Sequence, residues 1–405
     1  MNDSIVVAGL DIGNGYVKGA SLSGVSPSLT KHKIDIPSCA VRLVQKLEVP
    51  DSLNEELMSD IFNKVICRID SDLVEDKLHF MFGQGAIETG HHPVEFDIAD
   101  GNLSKSQQQL SATLVLGMVA SSAFKDYWDA NKSLPIDTIS VESVVALALP
   151  IGEYVIYRES FAEQFKNKTH TVTICNFDKD ITVDIRFKHV LVMPEGVSAQ
   201  YAIANKGEDF IDKLLLDVRS RDEQAMKGIT AKDVMVCGNT CGIDIGEGTV
   251  NFPVILNGKF NPVASTSIAM GFGTVVEQSI PAIRKQNMPW STRKAVVNFM
   301  QQKISPLNEN KKRKVTEIIN SEAIDLVDAI IREVSKILRS GNVEVIYVYG
   351  GGATPLKEAL YDKLVEKTKT FAGGDAFPIL YLDSVYARNL NKEGLLDFAR
   401  VKAGI

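Results

Sequence analysis

The chain has 405 residues, of which 45% are hydrophobic and 23% charged, and a formal net charge of −7. That length predicts two to three ordinary domains, and the composition predicts a globular protein with real cores. Mild acidity gives no global attraction for nucleic acid or anionic lipid, so direct membrane or DNA contact is not expected.

The first apolar residues run straight into Asp11 and Gly13, with no basic region or cleavage site of a targeting signal. The longest apolar stretch, Thr113 to Phe124, is too short to span a bilayer. The expected location is the cytoplasm. Five scattered cysteines, Cys39, Cys67, Cys175, Cys237 and Cys241, read as reduced thiols. Cys237 and Cys241 lack the second ligand pair that a zinc site needs.

In chain order, Ser4 to Leu10 reads as a buried strand, Asn14-Gly15 as a hairpin turn and Tyr16 to Leu22 as the returning strand. Residues 33–104 read as an insertion, with a short strand at Leu78 to Phe82 and turns near Gly83, Gly85 and Gly90. Lys105 to Phe124 has a helical stripe of Leu110, Leu114 and Met118. Strands are expected at Ile139 to Leu149, Thr171 to Cys175, Ile181 to Phe187 and His189 to Val192, and helix from Ser198 to Met226. Gly242 to Ile245, a Gly246-Glu247-Gly248 turn and Thr249 to Leu256 repeat the first hairpin, which predicts two related halves. Asn257-Gly258 predicts a further tight turn. The polar segment from Asn308 to Lys314 reads as a solvated loop or helix start. Ser321 to Arg339 is amphipathic, with Ile324, Val327, Ile331, Val334 and Leu338 on one face and Gly341 as cap. Val345 to Tyr349 reads as a strand that enters Gly350-Gly351-Gly352, after which Thr354 as N-cap and Pro355 as first helical residue open a helix.

Three glycine-rich elements carry candidate chemistry. In the first, Gly13, Asn14, Gly15 and Tyr16 can offer backbone N–H groups to an anion, Lys18 a point charge to a phosphate, and Asp11 a carboxylate to hydrated Mg²⁺. The second, Asp244 with Gly246, Glu247, Gly248 and Thr249, offers a further carboxylate and N–H-rich turn. The third, Gly350, Gly351, Gly352 and Ala353, feeds a helix N-terminus suited to an anion or ribose. There is no GxxxxGK[ST] loop and no GxGxxG opening a helix, which removes P-loop and Rossmann readings.

The order of these motifs resembles the actin/Hsp70/sugar-kinase ATPase superfamily: DIGNGYVK its phosphate 1 hairpin, IDIGEGT its phosphate 2 hairpin and VIYVYGGGATPL its adenosine motif. Val192-Met193-Pro194-Glu195-Gly196, with Leu147 to Tyr154 before it and Ala387, Asn389 and Gly394 at the end, is similar to the ParM/Alp-type actin-like proteins of plasmid segregation. The resemblance implies an α/β, actin-like (ribonuclease H-like) duplicated fold with a central nucleotide cleft. Domain I would span residues 1–198 plus 384–405, with an insertion at about 33–104, and domain II residues 199–383. It implies an ATPase that takes ATP and Mg²⁺, with Glu195 and Asp244 catalytic and Asp11 and Asp244 on the metal through water. It further implies self-assembly into dynamic filaments that segregate plasmid or phage DNA through a DNA-binding adaptor protein on a centromere-like site. A small-molecule kinase, or a nucleotide switch of the same superfamily that does not polymerise, is the alternative. Glu247 at the phosphate 2 tip departs from the smaller residues common there.

Overall fold

The computed structural model describes residues 4–25, 28–45, 54–75, 77–97, 104–221, 226–302, 305–340, 343–373, 378–382, 384–387 and 389–405. The chain forms two compact units, one of Met1–Leu149, Glu153–Pro194 and Asn391–Ile405, the other of Pro150–Gly152 and Glu195–Leu390. The chain passes between the units at residues 149/150, 152/153, 194/195 and 390/391. Glu195 and Gly196 bond to Asn251 and Tyr349, and Leu390 packs in a cluster with Leu380, Leu382 and Ala387.

The first unit is built on a ten-stranded sheet. Its heart is Ser4–Ile12, paired antiparallel with Tyr16–Val25 and parallel with Ile139–Leu149. Ser28–Pro37 flanks the hairpin, and Ile181–Pro194 runs parallel beside Ile139–Leu149. That last strand is continuous: the break expected at Lys188 is a register shift between Phe187 and His189.

The segment read as an insertion is divided. Residues 33–37 complete the third strand of the main sheet. Cys39–Leu43, Ile66–Asp70, His79–Phe82 and Val94–Glu95 extend the same sheet beyond Thr169–Ile174.

The helix over this sheet, Gln109–Asn131, begins after a separate 3-10 turn, Lys105–Gln107, because Gln108 is extended. Every residue from Leu110 to Phe124 is buried, so this part of the helix is enclosed all round rather than along a stripe. Gly117 admits the Phe82 ring.

On the other face of this sheet, Leu390–Ala403 closes against Val7, Val144, Ala146 and Ala148 through Leu395 and Ala399. It lies so near Gly9 that a Cβ there would meet the Leu396 backbone. Gly9→Ala is therefore expected to destabilise the protein by about 1–3 kcal/mol, since backbone must move to admit the methyl group; urea unfolding followed by circular dichroism measures this.

The second unit has a seven-stranded sheet. Thr240–Ile245 pairs antiparallel with Val250–Phe252, which pairs with Thr266–Ile268, and parallel with Val345–Tyr349, which pairs parallel with Ile379–Tyr381. Taking strands in chain order, both units thus share a five-strand core arranged 3-2-1-4-5 with only the second strand reversed. The duplication expected from two faint motif copies is present as topology.

Local chemistry explains the departures. Pro253 has no N–H, and the return expected from Thr249 to Leu256 splits into Val250–Phe252 and Val254–Leu256. Asn257 and Gly258 have φ of 52° and 73°, the conformation of a type I′ hairpin turn, as expected. Ser198 to Met226 contains two helices, Val197–Asn205 and Glu208–Arg221, parted at Gly207 with φ of 82°. Asn308 to Lys314 leads into the helix Glu309–Glu322. Ile324–Ser340 is a separate helix whose buried face is Leu326, Val327, Ile330, Val334 and Ile337. Ile324 is 53% exposed, so the packed face is rotated from the expected stripe. Gly341 lies outside the described residues.

Candidate functional site

In the first unit, Ile12 pairs with Val17 at the end of the ladder and Asp11 stands opposite Lys18. On the other side Lys18 faces Asp35. The Gly13 N–H donates to the Tyr16 carbonyl at 3.0 Å. Ser38 holds the loop from behind: its N–H donates to the Gly15 carbonyl at 3.0 Å and its hydroxyl to the Gly13 carbonyl at 2.6 Å. With those carbonyls engaged, the N–H groups of Asn14 and Gly15 meet no acceptor among the described residues. Neither residue has positive φ, so this Asn-Gly pair does not make the type I′ turn that its sequence predicts.

The second unit repeats this loop position for position. Ile245 pairs with Val250, Asp244 stands opposite Asn251, and the Gly246 N–H donates to the Thr249 carbonyl at 2.9 Å. Here the tether is Gly271-Phe272-Gly273. The N–H groups of Phe272 and Gly273 donate to the Gly246 and Glu247 carbonyls, both at 2.9 Å. The Glu247 and Gly248 N–H groups meet no acceptor among the described residues. Two successive N–H groups freed in this way form a concavity suited to an anion such as phosphate.

The triple glycine lies against the second loop. Gly350 has φ of 97°, and a Cβ there would lie 2.6 Å from Asp244 Oδ1. The Gly352 N–H donates to the Ile245 carbonyl at 2.9 Å, and a Cβ on Gly352 would lie 2.5 Å from that of Phe272. Gly351 is exposed, with open space where a Cβ would stand. The helix Ala353–Phe371 takes Gly352 as its N-cap. Thr354 is therefore not the cap, and Pro355 sits inside the first turn, where its missing N–H costs no bond.

Asp244 and Glu195 are both buried, at 6% and 8% exposure. Glu195 accepts a hydrogen bond from Asn251 Nδ2 at 2.9 Å. The following Gly196 has φ of 81°, and a Cβ on it would lie 3.2 Å from that of Asp244. The Gly196 carbonyl accepts from the Tyr349 hydroxyl at 2.7 Å. Burial, reinforced by the negative charge of Asp244, pushes the Tyr349 phenol well above its ordinary pKa, so it stays protonated and donates. Thus Glu195, Gly196, Asp244 and Gly350 share one neighbourhood. Glu247 is less regular: its Oε2 is buried without a hydrogen bond, and the cation beside it, Arg293, is 3.8 Å away and also 3.9 Å from Glu277.

Beside the third glycine turn is a cavity of ≈ 400 Å³ lined by Arg221, Thr316, Asn320, Thr354 and Lys357 among others. Lys357 is held by Asp217 at 3.0 Å, and Arg221 lies over the Tyr361 ring at 4.6 Å. Such a volume suits a small organic ligand.

Among the described residues no group of three or more His, Cys, Asp or Glu side chains could hold a metal ion. Mg²⁺ does not require one: it keeps several waters and binds through one or two carboxylates plus phosphate. Asp11 and Asp244 each stand at the mouth of an anion-suited loop and fit that role. Cys241 is a buried strand residue whose thiol burial pushes up to about 12. No helix among the described residues is long and apolar enough to cross a membrane.

Ser38, Asn251, Tyr349 and Gly271 to Gly273 were not among the sequence candidates. Asn251 was open to discovery: it occupies in the second hairpin the place that Lys18 occupies in the first.

Two family models match the chain. "Actin like proteins N terminal domain" covers residues 9–197 and "Archaeal actin homologue MreB-like, C-terminal" residues 242–362. No curated protein matches the sequence. Among solved structures, the fold is similar to Bacillus thuringiensis ParM with AMPPNP, at 17% identity and a TM-score of 0.60 over 100% of each chain. It is also similar to the actin-like protein Alp7A, at 14% identity and a TM-score of 0.62 over 99% of this chain and 97% of that one. The archaeal actin homologue Ta0583 matches at 15% identity and a TM-score of 0.60, over 98% and 99%. The fold is that of the actin-like proteins. The two models, both of actin-like proteins and together spanning most of the sequence, make the chain an actin-like protein.

Proposed function

We propose that this chain binds ATP with Mg²⁺, polymerises in that state and hydrolyses the nucleotide to limit filament lifetime, and that the filaments segregate plasmid or phage DNA through a DNA-binding adaptor. The observation that carries the nucleotide part is the matched pair of loops, each with two successive free N–H groups and an Asp one residue before the loop's entry strand ends. The neighbours solved with AMPPNP and ATP support it.

In this reading the N–H groups of Asn14 and Gly15, and of Glu247 and Gly248, take phosphate oxygens, with Lys18 adding a point charge. The remaining loop glycines, Gly13 and Gly246, with Tyr16 and Thr249, set the loop shape. Gly350, Gly351, Gly352 and Ala353 border the nucleoside, whose base enters the cavity lined by Thr316 and Asn320. Asp11 and Asp244 hold Mg²⁺ through water; when bound, the ion neutralises phosphate charge. Glu195, buried and fixed by Asn251, orients the attacking water. Catalysis is then positioning and electrostatics, as in other phosphoryl transfers.

The test is right-angle light scattering after addition of ATP–Mg²⁺, with phosphate release followed in parallel. A rise that decays as phosphate appears supports the dynamic filament. Hydrolysis without any scattering change points to the kinase or the monomeric switch.

A further inference from the structure

Asn251 is 2% exposed and makes three polar contacts. Its Nδ2 donates to Glu195 Oε2 at 2.9 Å and lies 3.4 Å from Thr249 Oγ1 on the second loop. Its Oδ1 accepts from the Ile151 N–H at 3.3 Å. Pro150–Gly152 and the segment that begins at Glu195 are the two places where the chain enters the second unit. One amide therefore joins the candidate water-orienting carboxylate, the candidate phosphate loop and both of these entering segments.

The repeat sharpens the point. At the equivalent position of the first hairpin the residue is Lys18, a cation facing Asp11 and Asp35 in register. The second hairpin replaces it with a neutral side chain that donates from one end and accepts from the other. A lysine has no acceptor and could not receive the Ile151 N–H. An aspartate would have no donor for Glu195 and would set two carboxylates together. Among these three, only the amide fits both partners.

We propose that Asn251 is a positioning residue: it fixes the rotamer of Glu195 for hydrolysis and ties that rotamer to the entry of the chain at Ile151. This rests on the reading of Glu195 given above, and it assigns Asn251 no contact with nucleotide.

The test compares four full-length proteins: parent, Asn251→Ala, Glu195→Ala and the double variant. Single-turnover phosphate release and ATP affinity are measured on each, and amide exchange at Ile151 is followed on parent and Asn251→Ala. Asn251→Ala is expected to slow hydrolysis about tenfold or more, the scale of one hydrogen bond to a charged group, with ATP affinity within about threefold. In the Glu195→Ala background the same substitution is expected to slow hydrolysis no further, because its effect passes through Glu195. Exchange at Ile151 is expected to accelerate.

Equal slowing in both backgrounds, or a loss of ATP affinity as large as the loss of rate, overturns the proposal in favour of a merely structural role. Unchanged exchange at Ile151 overturns the tie to the entering segment, even in a protein that shows no turnover. If Glu195→Ala itself leaves hydrolysis intact, the reading of Glu195 fails, a result distinct from failure at Asn251. Asn251→Gln, which keeps both donor and acceptor, is expected to recover part of the rate in a protein that melts as the parent does. No recovery in such a protein counts against the proposal.

Discussion

Asp244→Ala is expected to lower phosphate release on the order of 10³-fold, the scale at which loss of metal-assisted charge neutralisation is felt. The carboxylate is buried, stands at the end of the strand that feeds the second loop, and has Gly350 and Gly196 packed against it. Those glycines leave no room for a substitute group, since a Cβ on Gly350 would itself collide with Asp244 Oδ1. In the proposed reading, removing the carboxylate leaves the loop without a ligand for Mg²⁺ rather than handing that role to a neighbour. Undiminished turnover would remove Asp244 from the site. Titration of Mg²⁺ against turnover gives a second reading: a carboxylate that holds the ion through water should, when lost, raise the Mg²⁺ concentration needed.

Glu195→Ala is expected to slow hydrolysis by about 10²–10⁴-fold, the range of a positioned acid–base group, while ATP still binds and filaments persist longer. The separation of rate from binding follows from placement. Glu195 bonds to Asn251, whereas the free N–H groups proposed for the phosphates belong to Asn14, Gly15, Glu247 and Gly248. Glu195→Gln keeps an acceptor for Asn251 and is the better measure of the charge alone. Filter binding of labelled ATP and single-turnover phosphate release decide the matter; loss of ATP binding in either variant would mean that Glu195 shapes the nucleotide site.

Much of the fold was legible because its signals are local. Val345–Tyr349 and Ile139–Leu149 were bounded by Gly350 and Pro150, and the second Asn-Gly turn has the geometry that its dipeptide dictates. What failed depended on partners far away in sequence. Asn14-Gly15 yields to Ser38, which pulls the Gly13 carbonyl into a hydrogen bond of its own. Thr354 loses the N-cap position because Gly352 is drawn back to the Ile245 carbonyl. The packed face of Ile324–Ser340 is set by its neighbours and not by the best apolar stripe, which included the exposed Ile324.

At the candidate site the glycines and carboxylates were legible by type and order. Their supports, Tyr349 and Asn251, were not, because a tyrosine ending a strand and an asparagine in a hairpin have many ordinary roles.

The position of Leu390–Ala403 in the first unit has a consequence for synthesis. This helix covers Val7, Val144 and Gly9, all made early, yet residues 195–390 leave the ribosome between them and it. At elongation rates of about 5–20 residues per second that interval lasts roughly 10–40 s. The second unit, apart from Pro150–Gly152, is one continuous stretch and can mature as it emerges. The first must wait, the strand Ser4–Ile12 bare on one face until Leu390–Ala403 arrives. Until Leu390–Ala403 is released from the ribosome, the earlier unit is therefore the open one, and it is that unit that holdase chaperones would be found guarding.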